Sequence, residues 1–323
     1  MPIVRHSGYQ PPLLLRNRHL LTIYPTLCRW VKPVAYTRER IILPDSDFLD
    51  LDFSKVNSDR LVLVLHGLEG DAQRKYVKGM VSLFNQQGYD AAAMNFRGCS
   101  GEPNKALRFY HSGDTGDLDA VLHHLEAVYP YKAIYLIGFS LGGNVVLKYT
   151  GEKGRDISPL IRATVAISVP VDLANSAIEL EKKQNNIYMQ RFIRSLGEKL
   201  AAKAKLFPNE INLDGYAAIN TFRQFDNRYT APLHGFPNAA VYWASSSAIR
   251  VLHQVAIPTL LINAQDDPFL GAGCYPYDIA EKSAHFFLET PRYGGHVGFV
   301  NFGVSSYWTE RRALDFIRTH GAS

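Results

Sequence analysis

The chain has 323 residues, 46% of them hydrophobic and 20% charged, with a net charge of +5. This is the balance of a globular protein. The charge is too mild for the size, and too free of a basic stripe interleaved with aromatics, for a nucleic-acid partner, and no apolar run approaches the roughly 18 residues of a membrane span. Cys28, Cys99 and Cys274 stand far apart and make no CxxC pair, so no zinc site, other metal, cofactor or disulfide framework is expected, and a reducing, cytoplasmic setting fits. Near the N-terminus the only apolar run, Leu13 to Leu15, is too short for a signal-peptide core.

In chain order, residues 38–53 read as an antiparallel hairpin turning at Pro44-Asp45-Ser46-Asp47, residue types that favour a turn. The continuous apolar run 60–67 predicts a strand buried on both faces. A helix over Lys75–Gln87 stops at Gly88. A strand at 90–96, a helix over Asp114–Tyr129 and a strand at 132–138 follow, then a helix over Leu141–Thr150 and a strand at 162–168. From about Val171 to Val255 the alternation stops. Helix-like Ile178–Leu206 and a polar stretch, Phe225–Pro237, suggest a helical cap inserted into one domain spanning 1–323. Alternation resumes with a strand at 257–264, a helix near Tyr277–Ser283, a strand at 284–289 and a last helix over Ser306–Thr319. Strands alternating with helices predict a mostly parallel sheet covered on both faces.

Gly138-Phe139-Ser140-Leu141-Gly142 lies between a predicted strand and a predicted helix, the context in which G-x-S-x-G forms a nucleophile elbow. Such a turn strains the serine backbone, and side chains at the flanking glycines would collide with the neighbouring strand and helix. Ser140 is the candidate nucleophile. Attack on a carbonyl generates an oxyanion that needs donors. The N–H of Leu141 is one candidate. The other is the N–H of Leu68, in the loop His66-Gly67-Leu68-Glu69-Gly70 after an earlier strand. His66 itself is expected to support that loop rather than transfer protons.

A serine nucleophile needs a base held by a carboxylate, and in this arrangement the chain order is serine, acid, histidine. Asp266 and Asp267 follow the strand 257–264, at the same sheet edge as the elbow. Asp267 is the candidate acid, because Pro268 stiffens the loop after it. Asp266, the alternative, would cap or brace that loop. His296 is the candidate base, flanked by Gly294, Gly295 and Gly298 between the last strand and the last helix. His123 and His124 read as structural, and Cys99 as packing.

Together, "HGLEG" (66–70), "NFRGCSGEPN" (95–104), "YHSGDT" (110–115), "GFSLGGN" (138–144), "DDPF" (266–269) and "GGHVGF" (294–299) resemble the YheT family of α/β-hydrolases, and "NRHLLT" (17–22) is similar to that family's opening segment. The resemblance spans nearly the whole chain. It implies the α/β-hydrolase fold and a serine esterase whose charge relay is Ser140, Asp267 and His296. Eukaryotic members include membrane-associated lipid hydrolases; lacking their N-terminal membrane segment, this chain is expected to be of the bacterial, soluble type.

The expected partner is a small-molecule ester. Within 178–206, Lys182, Lys183, Arg191, Arg194, Lys199, Lys203 and Lys205 interleave with Ile187, Met189, Phe192, Ile193 and Leu196. The preferred reading is a helix pair whose apolar stripe covers the active site with charges facing water; peripheral contact with a lipid surface is the alternative. Tyr229, Phe236, Tyr242 and Trp243 would line an acyl pocket or form the core of the cap. An acyltransferase using the same triad and a non-catalytic binding protein are the rival functions.

Overall fold

The structure, a computed structural model, describes residues 2–321. Its strands are β1 (Ile3–Val4), β2 (Thr37–Ile42), β3 (Phe48–Ser54), β4 (Arg60–Leu65), β5 (Asp90–Asn95), β6 (Ala133–Phe139), β7 (Ile161–Ile167), β8 (Thr259–Ile262) and β9 (Phe286–Glu289). They form one sheet in the order β1-β9-β8-β7-β6-β4-β5-β3-β2. Pairing is parallel from β1 to β5 across the sheet, while β3 runs antiparallel to both β5 and β2. Along β4, Leu61, Leu63 and Leu65 pack into the core on one face, and Val62 and Val64 into the core on the other. That two-sided burial is why the run is apolar without alternation.

The helices are α1 (Arg18–Cys28), α2 (Lys75–Gln86), α3 (Thr115–Val128), α4 (Leu141–Lys153), α5 (Leu173–Leu180), α6 (Asn186–Leu206), α7 (Phe222–Phe225), α8 (Ala231–Leu233), α9 (Ala239–Ser246), α10 (Tyr277–Lys282) and α11 (Trp308–His320). Val77, Met80 and Phe84 of α2 share one face of the sheet with Phe316 and Ile317 of α11. Leu118 and Val121 of α3 share the other with Val145 and Val146 of α4. None of the helices in the described residues is long and apolar enough to cross a membrane.

Between β7 and β8 the described chain forms helices and no strand. The helix-like stretch 178–206 is divided between α5 and α6, because the amide of Asn185 donates to Glu179 O at 2.8 Å and to Pro268 O at 2.7 Å, tying the break to the loop after β8. One expectation for this segment needs correction: the stretch 225–237, read as polar, is buried in its first half. Phe225, Asp226, Tyr229, Thr230 and Ala231 are buried around a π-turn at Asp226–Thr230, and the Trp243 indole N–H donates to Asp226 at 2.7 Å.

The loop after β5 is anchored by Arg97, only 1% exposed. Its guanidinium forks onto Asp117 of α3 with both bonds at 2.6 Å, and reaches Asp45 at 2.7 Å and Asp47 at 2.9 Å in the β2–β3 turn. Removing one member of a buried ion network strands its partners. Arg97→Met is therefore expected to lower the unfolding free energy by about 3–5 kcal/mol, read as a lower urea midpoint at constant slope.

Candidate active site

The elbow lies between β6 and α4. Ser140 has φ 52° and ψ −119°, a conformation that costs a non-glycine residue about 1–3 kcal/mol. The flanking glycines make the turn sterically feasible. A Cβ on Gly142 would lie 2.4 Å from His66 O, and one on Gly138 would lie 2.4 Å from Gly142 O. Strand β6 thus sits close enough to α4 and to the end of β4 for the serine to be lifted clear at the helix N-terminus.

His296 reaches it from the loop between β9 and α11. Its Nε2 is 3.0 Å from Ser140 Oγ, and its Nδ1 is 2.9 and 3.1 Å from the two carboxylate oxygens of Asp267. With the Nδ1 proton donated to Asp267, Nε2 is left to accept from the serine hydroxyl. Asp267 is fully buried; its Oδ1 also accepts the N–H of Phe269 at 2.9 Å, while the Phe269 ring lies 4.1 Å from the imidazole, centroid to centroid. Asp266 points elsewhere: its Oδ1 accepts the N–H of Gly295 at 2.9 Å, bracing the histidine loop.

That loop is heavily constrained. Val297 has φ 57°, rare for a β-branched residue. Its N–H donates to Ser168 Oγ at 2.9 Å, and the N–H of His296 donates to Thr22 Oγ1 at 2.9 Å. A Cβ on Gly298 would lie 2.3 Å from Leu21 O. Helix α1 is therefore part of the site's support. Asn17 caps it, accepting from His19 N and Leu20 N, and Arg18 donates to Asp267 O at 2.8 Å. In the sequence, only the cap residue Asn17 ahead of an amphipathic run signalled a helix here.

The loop after β4 faces the elbow. The N–H groups of Gly67 and Glu69 are engaged by Tyr76 Oη at 3.0 Å and Tyr110 Oη at 2.8 Å. Among the described residues no acceptor takes the intervening N–H of Leu68. Leu141 opens α4, where backbone donors have no intrahelical partner. His66 is buried. One ring nitrogen bonds Gly67 O at 2.7 Å and the other accepts the N–H of Phe96 at 3.2 Å. Burial drives its pKa down to about 3, so it stays neutral and structural.

Glu69 has φ 51° and is held from several sides. The Tyr110 hydroxyl donates to its carboxylate at 2.7 Å, Lys199 of α6 pairs with it at 2.7 Å, and Arg74 donates to its carbonyl at 2.6 Å. Burial opposes the charge on Lys199, but Cys99 and Glu69 outweigh it and raise its pKa. Cys99 is thus more than packing: its Sγ lies 3.0 Å from Lys199 Nζ. Burial raises the thiol pKa, which makes it a poor nucleophile. Neither Lys199 nor Tyr110 stood out as support for the Leu68 loop in the sequence, because both contacts join distant parts of the chain.

Two cavities meet at Leu68, Ser140 and His296. The inner one is walled by Phe109, Leu173, Leu180, Phe192, Phe225 and Trp243 among others. Tyr242 and Trp243 face it, whereas Tyr229 and Phe236 do not line it: Tyr229 packs in the core and Phe236 packs against His111 and Tyr242. His111 also faces the inner cavity, and burial holds its pKa well below the usual histidine value.

A mostly parallel sheet with a strained serine at the β6–α4 turn and acidic and histidine loops after β8 and β9 defines the class of α/β-hydrolases. Residues 60–302 match the family model described as the alpha/beta hydrolase fold. The chain is 34% identical to YheT of Escherichia coli (strain K12), covering 94% of this chain and 91% of that protein. It is 29% identical to phospholipase ABHD3 of Mus musculus, over 86% of this chain and 73% of that one. Among solved structures, the Pyrococcus furiosus esterase Pf2001 superposes with a TM-score of 0.61 at 19% identity, covering 90% of this chain and 92% of the other, a likeness of fold. The chain belongs to the α/β-hydrolase family, in its YheT-like branch.

Proposed function

We propose that this hydrolase cleaves carboxylic esters of the acyl-lipid class through an acyl-enzyme on Ser140. The observation that carries the reading is the unbroken chain from Ser140 Oγ through His296 to Asp267, at 3.0 and 2.9 Å, at the junction of two cavities. His296 Nε2 takes the serine proton as Oγ attacks the ester carbonyl. The N–H groups of Leu68 and Leu141 bind the resulting oxyanion. His296 then protonates the departing alcohol, and a water deprotonated by the same nitrogen releases the acid. Asp267 keeps the imidazole in the required tautomer and stabilises its charged form. The segment between β7 and β8 acts as a cap whose apolar side chains receive the acyl chain. That the ABHD3 relative is a phospholipase supports an acyl-lipid substrate.

The test is labelling with a fluorophosphonate, alongside turnover of p-nitrophenyl esters of increasing chain length. Covalent labelling at Ser140 is expected, with rates that rise with chain length and fall once the chain outgrows the inner cavity. Turnover without labelling at Ser140 would overturn the reading.

A further inference from the structure

The inner cavity accounts for the acyl half of an ester and leaves the alcohol half to the second cavity. That outer cavity differs in chemistry. It opens between α1, the start of α2 and α6, and its walls include Arg74, Lys75 and Arg191 with the hydrogen-bonding side chains of Thr26, Gln73 and Ser195. Glu69 is the only carboxylate among its lining residues, and Lys199 and Tyr110 already occupy that group. Lys75 donates only to Leu27 O at 3.2 Å, and exposed Arg191 has no partner among the described residues. Arg74 is already engaged, donating to Glu69 O at 2.6 Å and lying 3.9 Å from Asp71, so the uncompensated positive charge beside the position from which the alcohol departs is that of Lys75 and Arg191. A free guanidinium and an ammonium suit a group with several anionic oxygens, and the planar fork of arginine matches phosphate in particular.

We propose that the outer cavity binds the alcohol half of the substrate and that this alcohol carries a phosphate group, recognised chiefly by Arg191 with Lys75. The inference rests on the assignment of Ser140 as nucleophile, which locates the bond that breaks. The phosphate takes no part in the chemistry. It fixes the alcohol oxygen beneath His296 Nε2 and draws anionic esters to the mouth of the cavity. The same chemistry comes from two sources: a free glycerophosphate ester, or the headgroup of a lipid in a bilayer. Exposed Leu27 on the cavity wall, 71% exposed, and nearby Trp30 just after α1, 77% exposed, are compatible with the second.

The experiment compares kcat/KM for the hexanoyl esters of glycerol 3-phosphate and of glycerol, below their micellar concentrations, at low and high salt. The wild-type protein is expected to prefer the phosphate ester by about tenfold or more at low salt, with the preference shrinking as salt rises. Arg191→Ala is expected to lower that ratio about tenfold, mainly through KM, and Arg191→Lys to restore part of it. Lys132→Ala, which removes one charge at the far end of the sheet, serves as the net-charge control. An equal rate on both esters, or a ratio that Arg191→Ala and Lys132→Ala change alike, would overturn the proposal. Ser140→Ala tests the underlying assignment separately, because it must silence both esters together. Repeating the Arg191 comparison on phospholipid vesicles identifies the source: a matching dependence there assigns the headgroup, and its restriction to the soluble ester assigns the free phosphate.

Discussion

Ser140→Ala is expected to lower kcat by about 10⁴–10⁶-fold while leaving KM and thermal stability near the parent values. Alanine keeps the Cβ and therefore the strained backbone of the elbow, at φ 52°. What disappears is one oxygen and its 3.0 Å bond to His296. Any residual rate, up to about 10³–10⁴ above water, would come from the oxyanion donors and from binding alone. Steady-state kinetics together with a melting curve checks this. Full activity with an unchanged melt would remove Ser140 from the mechanism.

Asp267→Asn is expected to cost about 10⁴-fold in kcat, and Asp266→Asn about tenfold or less. The two side chains are adjacent in sequence but serve different groups. Both oxygens of Asp267 lie within 3.1 Å of the imidazole Nδ1. An asparagine there either presents its amide N–H₂ to Nδ1, holding the proton on Nε2 where it can no longer take the serine's, or keeps its oxygen and forfeits the charge that steadies the imidazolium. Asp266 instead accepts a backbone N–H from Gly295 at 2.9 Å, a bond that an asparagine oxygen reproduces. The kcat of both variants at saturating ester decides the matter, and the reverse ranking would exchange the roles of the two carboxylates.

This pair also shows where the sequence stops being legible. A strand end followed by Asp-Asp-Pro announces a carboxylate at the sheet edge, yet consecutive Cβ directions decide which one meets the histidine, and neither periodicity nor composition records them. The sheet was easier to read, because strands buried on both faces, such as β4 and β6, are continuous apolar runs. The glycines around Ser140 announced their turn for the same local reason. Helix α1 is the opposite case. The bond that Arg18 donates to Asp267 O and the one that Thr22 accepts from His296 N–H span 249 and 274 residues of chain. The break between α5 and α6 depends likewise on Asn185 reaching Pro268, 83 residues away, so the sequence does not mark where the helix-like stretch divides.

The bond between Lys199 and Glu69 joins α6 to the loop that carries Leu68. Helix α6 also walls the inner cavity through Phe192 and Leu196, so roof and donor loop share one fastening. Replacing Lys199 would therefore disturb two things at once, the wall that shapes the cavity and one of the supports of the Leu68 loop, while Tyr110 and Arg74 still hold Glu69 at φ 51°. A substitution on a helix remote in sequence would then register both in chain-length preference and in turnover.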